Sequence, residues 1–288
     1  MNNIMNILFL GDIFGNNGRK IIKKHLKNLI KQHHVDLVIA NAENCTHGKG
    51  LNQEHYDELM SYGIDFFTMG NHTWAKKEVF EILKDQKNIV RPLNLPENFQ
   101  YADLGVGTNV IKVKNKTIRI TNLLGEGVKL NFKVTNPFYC LEDLVKMSNQ
   151  DLHIVDFHAE TTSEKNALAI YFDGQVSAIL GTHTHVPSAD LRVSPKGMVY
   201  VTDVGMCGPG FGSIIGAKAQ NVLTKFLHPT ARFKLEVSKL GAQFNAILME
   251  FDDKTNKAVN AKRIQILEDD EINYLKEDFS VPADFERN

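Results

Sequence analysis

Cysteine is scarce in this 288-residue chain: Cys45, Cys140 and Cys207 stand far apart, and no CxxC pair occurs. Neither a disulfide framework nor a cysteine-based zinc site can be built from them. No uninterrupted apolar stretch reaches the roughly 18 residues that a membrane-spanning helix needs. Charge of one sign is missing too, since 33 Lys+Arg face 34 Asp+Glu for a formal net charge of −1. A protein whose main task is to coat nucleic acid would carry a basic surplus, so no extended nucleic-acid surface is expected. The glycines form neither a Gly-Lys-Ser/Thr phosphate loop nor a dinucleotide fingerprint. There is no internal repeat and no low-complexity tract. With 43 % hydrophobic residues the chain is too apolar to stay disordered. The apolar N-terminal segment lacks a basic region and a small-residue cleavage site, so it reads as a first core strand and the cytoplasm is the expected location.

Against these absences stands a regular alternation in the first ninety residues. Short apolar runs at Ile7-Leu8-Phe9-Leu10, 35–40 and 66–70 suit strands buried on both faces. Between them, 18–31 carries Ile22, Leu26, Leu29 and Ile30 at helical spacing. Asn52 caps a second helix that Gly63 ends, and 74–84 reads as a third. This β-α order implies a mainly parallel sheet with helices on its faces. Further on, 110–113 and 117–123 flank Asn115-Lys116 as a hairpin. Strands follow at 152–157, 178–180 and 198–201. Residues 243–251 and 258–267 alternate as an antiparallel pair. One domain over 1–288 is the simplest parse, with about 95–145 an inserted β-rich region on the substrate side and about 269–288 a surface tail.

Metal-ligand residue types recur at the ends of these strands. Asp12 follows the first, Glu43-Asn44 the second and Asn71-His72 the third. His158 and the pair His183, His185 follow two later ones. In open α/β sheets, ligands bind beyond the carboxyl ends of the strands. Carboxylate, amide oxygen and imidazole suit manganese, iron or zinc. Gly11, Gly70 and Gly181 stand just before these residues, where the chain must turn close to bound ions. A carboxylate among so many donors could bridge two ions about 3.5–4 Å apart, as in two-metal phosphoryl-transfer sites. Singly, Asp12 could cap a helix, Asn71 could serve a turn and His158 could be an ordinary buried ring. Five such coincidences at strand ends favour a site. His33-His34 suits the solvated end of a helix. His47 belongs either to the cleft wall or to a solvated loop, and Cys45 has no base partner that would make it a nucleophile. Glu160 and Lys165 are placed to buttress His158 or cap the next helix, with support of a metal ligand the expected role of Glu160.

The segments Gly-Asp-Ile-Phe-Gly (11–15), Asn-Ala-Glu-Asn (41–44), Gly-Asn-His-Thr-Trp (70–74), Asp-Phe-His-Ala-Glu (156–160) and Gly-Thr-His-Thr-His-Val (181–186) resemble the calcineurin-like metallophosphoesterases, and within them the YmdB-type phosphodiesterases. The resemblance runs to about residue 216. In the wider superfamily the first motif holds Asp-x-His and an Asp bridges the ions; here Phe14 follows Asp12 and Glu43 is the expected bridge, as is typical of the YmdB branch. The resemblance implies a four-layer α/β/β/α sandwich with mixed sheets. It implies two divalent or mixed-valence metal ions, iron or manganese foremost, with zinc and magnesium as alternatives. Asp12 and His185, with Asn44, would hold the first ion; Asn71, His158 and His183 the second; Glu43 both. His72 would lie over the scissile phosphate as the catalytic acid. The implied activity is hydrolysis of small phosphodiesters, 2′,3′- or 3′,5′-cyclic nucleotides, by a metal-bridging hydroxide, in a homo-oligomer. The alternatives are a phosphomonoesterase or nuclease using the same site, and a regulatory protein whose metal site is structural.

Overall fold

The computed structural model describes residues 4–228, 230, 234 and 236–280. Its elements begin with β1 (Ile4–Leu10), β2 (Asp12–Ile13), α1 (Gly15–Gln32), β3 (Leu37–Asn41), α2 (Gln53–Tyr62), β4 (Phe66–Thr68), α3 (Val79–Asp85) and β5 (Ile89–Val90). The middle of the chain adds β6 (Thr108–Val113), β7 (Lys116–Leu124), α4 (Pro137–Lys146), β8 (Leu152–His158), α5 (Thr162–Phe172), β9 (Ala178–Thr182), β10 (Arg192–Val193) and β11 (Val199–Val201). Then come β12 (Met206–Cys207), β13 (Ser213–Ile214), β14 (Ala217–Lys218), α6 (Ala219–Leu227), β15 (Ala242–Asp252), β16 (Ala258–Glu268) and α7 (Glu271–Tyr274).

Two six-stranded mixed sheets form the centre, in the orders β16-β15-β1-β3-β4-β5 and β10-β11-β9-β8-β7-β6. Alternation along β1 shows how they stack. Ile7 and Phe9 pack with Ile120 and Ile154 of the second sheet, whereas Leu8 and Leu10 pack with Ile22 and Leu26 of α1. Successive side chains point to opposite faces of a strand, so the first sheet is covered by helices on one side and by the second sheet on the other. The far face of the second sheet carries Leu123, Val155 and Phe157 against Leu168 and Phe172 of α5 and Leu141 of α4. The result is a four-layer α/β/β/α sandwich, as the motifs imply.

Asn52 caps α2 by accepting from the His55 N–H, and Gly63 ends it with φ +107°, both as the sequence indicates. One segment differs from the sequence reading. The stretch 74–84 divides into a 3-10 turn at Thr73–Ala75 and α3, because Lys76 between them is extended (φ −126°, ψ 135°). Gly50 sits against Ala75 and Lys76 at that point: a Cβ there would lie 2.8 Å from Lys76 Cγ and 3.2 Å from Ala75 Cβ. Segment 95–145, expected as an inserted region, supplies β6 and β7 to the edge of the second sheet, with β7 pairing parallel to β8. Within the expected tail, 271–274 forms α7, whose Tyr274 stacks on Phe211 at 4.8 Å; residues 281–288 lie outside the described residues. No helix among the described residues is long and apolar enough to cross a membrane.

Candidate metal centre

Asp12 sits on β2, directly beyond β1; Glu43 and Asn44 follow β3; Asn71 and His72 follow β4; His158 ends β8; His183 and His185 follow β9. Both sheets therefore contribute. Their strand ends bring Asp12, Glu43, Asn44, Asn71, His72, His158, His183 and His185 into one cluster, in which Asn71, His72 and His183 are half-buried and the others buried. His158 Nε2 lies 3.2 Å from Glu43 Oε1, 2.9 Å from Asn71 Oδ1 and 3.0 Å from His183 Nδ1. The amide of Asn44 donates to Glu43 Oε1 at 3.0 Å and lies 3.2 Å from His185 Nε2. Asp12 Oδ1 is 3.7 Å from His185 Nε2 and 3.8 Å from His158 Nδ1. The backbone N–H of His72 donates to Glu43 Oε2 at 2.8 Å.

Two observations fit this cluster to cations. First, Asp12 is fully buried, yet its Oδ1 has no hydrogen-bond partner. Burying a carboxylate oxygen without a partner is costly, and a coordinated cation removes that cost. Second, ligand atoms of Glu43, His158 and His183 all lie within 4.8 Å of one another. The proton affinities reflect the same crowding of donors. Burial raises the Asp12 pKa, against the opposing pull of His185 and His158. Burial also acts to raise Glu43, but contact with His158 and with the His72 N–H outweighs it and holds the carboxyl below the usual range. For His158, burial is overcome by the Glu43, Asp12 and Asp156 carboxylates, and the ring rises to about 9. His183 is depressed to about 3 by burial and by neighbouring His158. Metal binding would displace protons shared in this way.

The outer partners of the three rings fix which nitrogen faces the centre. Thr182 Oγ1 donates to Asp156 Oδ1 at 2.6 Å, so at 2.9 Å it accepts from His158 Nδ1–H, and Nε2 is the nitrogen that faces the centre. His185 Nδ1 lies 2.9 Å from the Ile215 carbonyl, which only accepts, so its Nε2 is likewise the open nitrogen. His183 Nε2 lies 3.0 Å from Glu160 Oε2, which leaves Nδ1 towards His158 and Glu43. Such outer contacts orient metal-binding histidines and fix their tautomers. Glu160 therefore supports a ring, but that ring is His183 rather than His158, because its exposed carboxylate reaches over the later strand. His183 and His185 adopt φ +97° and +67°, a left-handed backbone costing about 1–3 kcal/mol for each non-glycine residue.

Sequence reasoning missed Asp156, Thr182 and the Ile215 carbonyl. Asp156 also accepts from Asn41 at 2.9 Å and Thr68 at 2.5 Å, and burial raises its pKa to about 6. The available signal was one carboxylate inside a mainly apolar strand, next but one to His158. Phe14, where the wider superfamily has a histidine, packs edge-on against the His185 ring at 5.2 Å. Cys45 is buried and its thiol is pushed up to about 12, which agrees with its exclusion as a nucleophile. Over the cluster opens a cleft of about 410 Å³, lined by His72, Lys49 and His47 and by apolar Phe14, Ile215 and Val237.

Comparison with known proteins places the chain as a whole. The YmdB-like protein family matches residues 8–264. The chain belongs to that family. This YmdB-like chain is 52 % identical to a solved structure described as a novel phosphatase from Mycoplasma pneumoniae, with a TM-score of 0.94 over 97 % of this chain and 99 % of the other. It is 40 % identical over 268 residues, 92 % of this chain and 98 % of the relative, to the 2′,3′-cyclic-nucleotide 2′-phosphodiesterase of Bacillus subtilis. A hypothetical protein from Thermus thermophilus shares 36 % identity and a TM-score of 0.84 over 92 % of this chain and 100 % of its own. Fold, family and relatives agree on a phosphoesterase whose family implies divalent metal ions.

Proposed function

We propose that this phosphoesterase is a binuclear metal-dependent phosphodiesterase acting on small phosphodiesters, with 2′,3′-cyclic nucleotides the first candidates and 3′,5′-cyclic nucleotides next. One observation carries the reading: Asp12 Oδ1 is buried without a partner, 3.7 Å from the inward His185 Nε2, beside a cluster in which His158 Nε2 meets Glu43, Asn71 and His183 Nδ1. Asp12 and His185, with Asn44, would hold one ion. Asn71, His158 and His183 would hold the other, and Glu43 both. Bound there, the ions supply Lewis-acid charge at the phosphate and a water acidified towards neutrality.

The chain's own residues do the rest. Glu43 accepts the His72 backbone N–H and so fixes that residue at the lip of the centre, where its ring lines the cleft. From there the imidazole stabilises charge on the phosphate and protonates the departing alkoxide. The cleft is large enough for a nucleotide-sized ligand, and its apolar Phe14, Ile215 and Val237 offer contact for an aromatic base. The Bacillus subtilis relative's named substrate supports the choice of diester.

His72→Ala should lower turnover of a bis-aryl phosphate by roughly 100- to 10,000-fold, with metal content by elemental analysis unchanged. Unaltered turnover removes His72 from the mechanism. A metal-loaded wild type that cleaves only the mono-aryl analogue would make the enzyme a phosphomonoesterase. One inert towards every phosphoester would leave the metal site structural and the protein regulatory.

A further inference from the structure

Lys165, on α5, is fully buried, although nothing in the proposed chemistry uses it. Its ammonium group donates to the Thr182 carbonyl at 2.8 Å and pairs with Asp203 Oδ2 at 2.9 Å. The Asp203 carboxylate is itself almost entirely buried. Its Oδ2 accepts from the Thr184 backbone N–H at 3.1 Å and from Thr184 Oγ1 at 2.7 Å, and its Oδ1 accepts from the Gly205 N–H at 2.8 Å. One ion pair thus grips the residue before His183 and the residue after it. His183 is the residue forced to φ +97°, and His185 follows at +67°. Strained backbone persists where its surroundings over-determine it, and here five polar contacts do so. Gly181 lets the segment close in, since a Cβ there would lie 1.7 Å from the Thr202 carbonyl oxygen and 3.1 Å from Lys165 Cδ.

We propose that Lys165 and Asp203 are positioning residues for the metal centre: their buried ion pair holds Thr182–His185 in the left-handed path that turns His183 Nδ1 and His185 Nε2 inward. This rests on the metal-centre reading above. An apolar pair could fill the same volume, but it could not direct hydrogen bonds to both flanks of His183. Neither residue faces the cleft, so they act only through the histidines they place.

The test separates positioning from stability. Thr184→Val removes one hydroxyl contact to Asp203 and leaves the ion pair intact. Lys165→Met/Asp203→Asn removes both charges together and so avoids stranding either one in the interior. Apo melting temperature and Mn²⁺ affinity, by competition with a chelating indicator, are measured for both and for wild type. Thr184→Val should melt within about 3 °C of wild type and bind Mn²⁺ roughly 10-fold more weakly. The double variant should lose roughly 100-fold, the upper range for outer contacts of metal ligands. Wild-type Mn²⁺ affinity in the folded variants overturns the proposal, and if the double variant does not fold, Thr184→Val decides alone. Wild type that binds no Mn²⁺ overturns instead the metal-centre reading, so the two failures are told apart by the control.

Discussion

A methyl group on Gly70 would lie 2.3 Å from Glu43 Oε2 and 2.6 Å from His158 Nε2. Neither partner can withdraw, because Glu43 is 1 % exposed and His158 0 %. The requirement at this position is space beside two side chains proposed to face the metals. Gly70→Ala should therefore push Glu43 or His158 out of place and lower metal affinity by at least roughly 10-fold, with the far-ultraviolet circular dichroism unchanged. Elemental analysis after dialysis against limiting Mn²⁺ would show the loss, and a variant that keeps full metal occupancy refutes the crowding argument. Gly70, Asp12, Glu43, Asn71 and the histidines were legible in the sequence because ligand types at strand ends form a local, countable pattern. Asp156, Thr182 and Asp203 were not. Their part depends on which distant side chain they meet, 26 residues away for Asp156 and Thr182, and no spacing rule encodes that meeting. Glu160 shows the same limit, since nearness to His158 in sequence gave way to contact with His183 in space.

Strand β8 carries a second buried imidazole that the site does not use. His153 is 2 % exposed; its Nε2 lies 2.9 Å from Thr121 Oγ1 on β7, while its Nδ1 has no partner. Burial, assisted by nearby Arg119, depresses its pKa to about 3. The ring is therefore neutral in the folded sheet down to acid pH, whereas in the unfolded chain it takes up a proton near pH 6.5. Between those values the unfolded state binds more protons, so stability falls as pH falls through that window. From pH 6.5 to 4.5 the loss due to this residue is about 2 kcal/mol. His153→Gln keeps a neutral polar group towards Thr121, so its urea-unfolding free energy should fall by about that much less over the same interval; equal slopes for the two proteins would contradict the buried neutral ring. The β8 strand itself was plain from its apolar run. What local pattern could not disclose was pairing across the chain. The antiparallel pair β15–β16 follows from its alternation, but its insertion beside β1, Leu8 opposite Leu248, joins segments some 240 residues apart. In the same way, the break at Lys76 lies against Gly50, a neighbour that no pattern within 74–84 announces.

The centre lies where two layers meet. Asp12, Glu43 and Asn71 follow strands of the first sheet, and His158, His183 and His185 belong to the ends of β8 and β9 in the second. Between the strands the two sheets are held mainly by apolar contact, such as Ile7 and Phe9 against Ile120 and Ile154. At this end they meet through carboxylates and imidazoles whose mutual contacts leave Asp12 Oδ1 unsatisfied. Bound ions would thus join the sheets as well as serve the reaction, and the unfolded chain, with its ligands dispersed along 174 positions from 12 to 185, would bind them far less well. Binding to the native state alone stabilises by about 2.7 kcal/mol at a free metal concentration of 100 times Kd, and by about 1.4 kcal/mol more for each further tenfold rise. In a chain of this length 1 kcal/mol moves the midpoint by about 2–4 °C. Chelation should lower Tm by about 5–10 °C, and Mn²⁺ added back should restore it with a logarithmic dependence on free metal. His158→Ala removes the nitrogen shared by Glu43, Asn71 and His183, so its melting should respond little to either treatment. A wild-type Tm that stays constant in calorimetry from chelator to 1,000 times Kd would mean that the ions do not distinguish native from unfolded chain. The joining of the two sheets would then rest on their apolar interface and on hydrogen bonds such as those of Asn41 and Thr68 to Asp156.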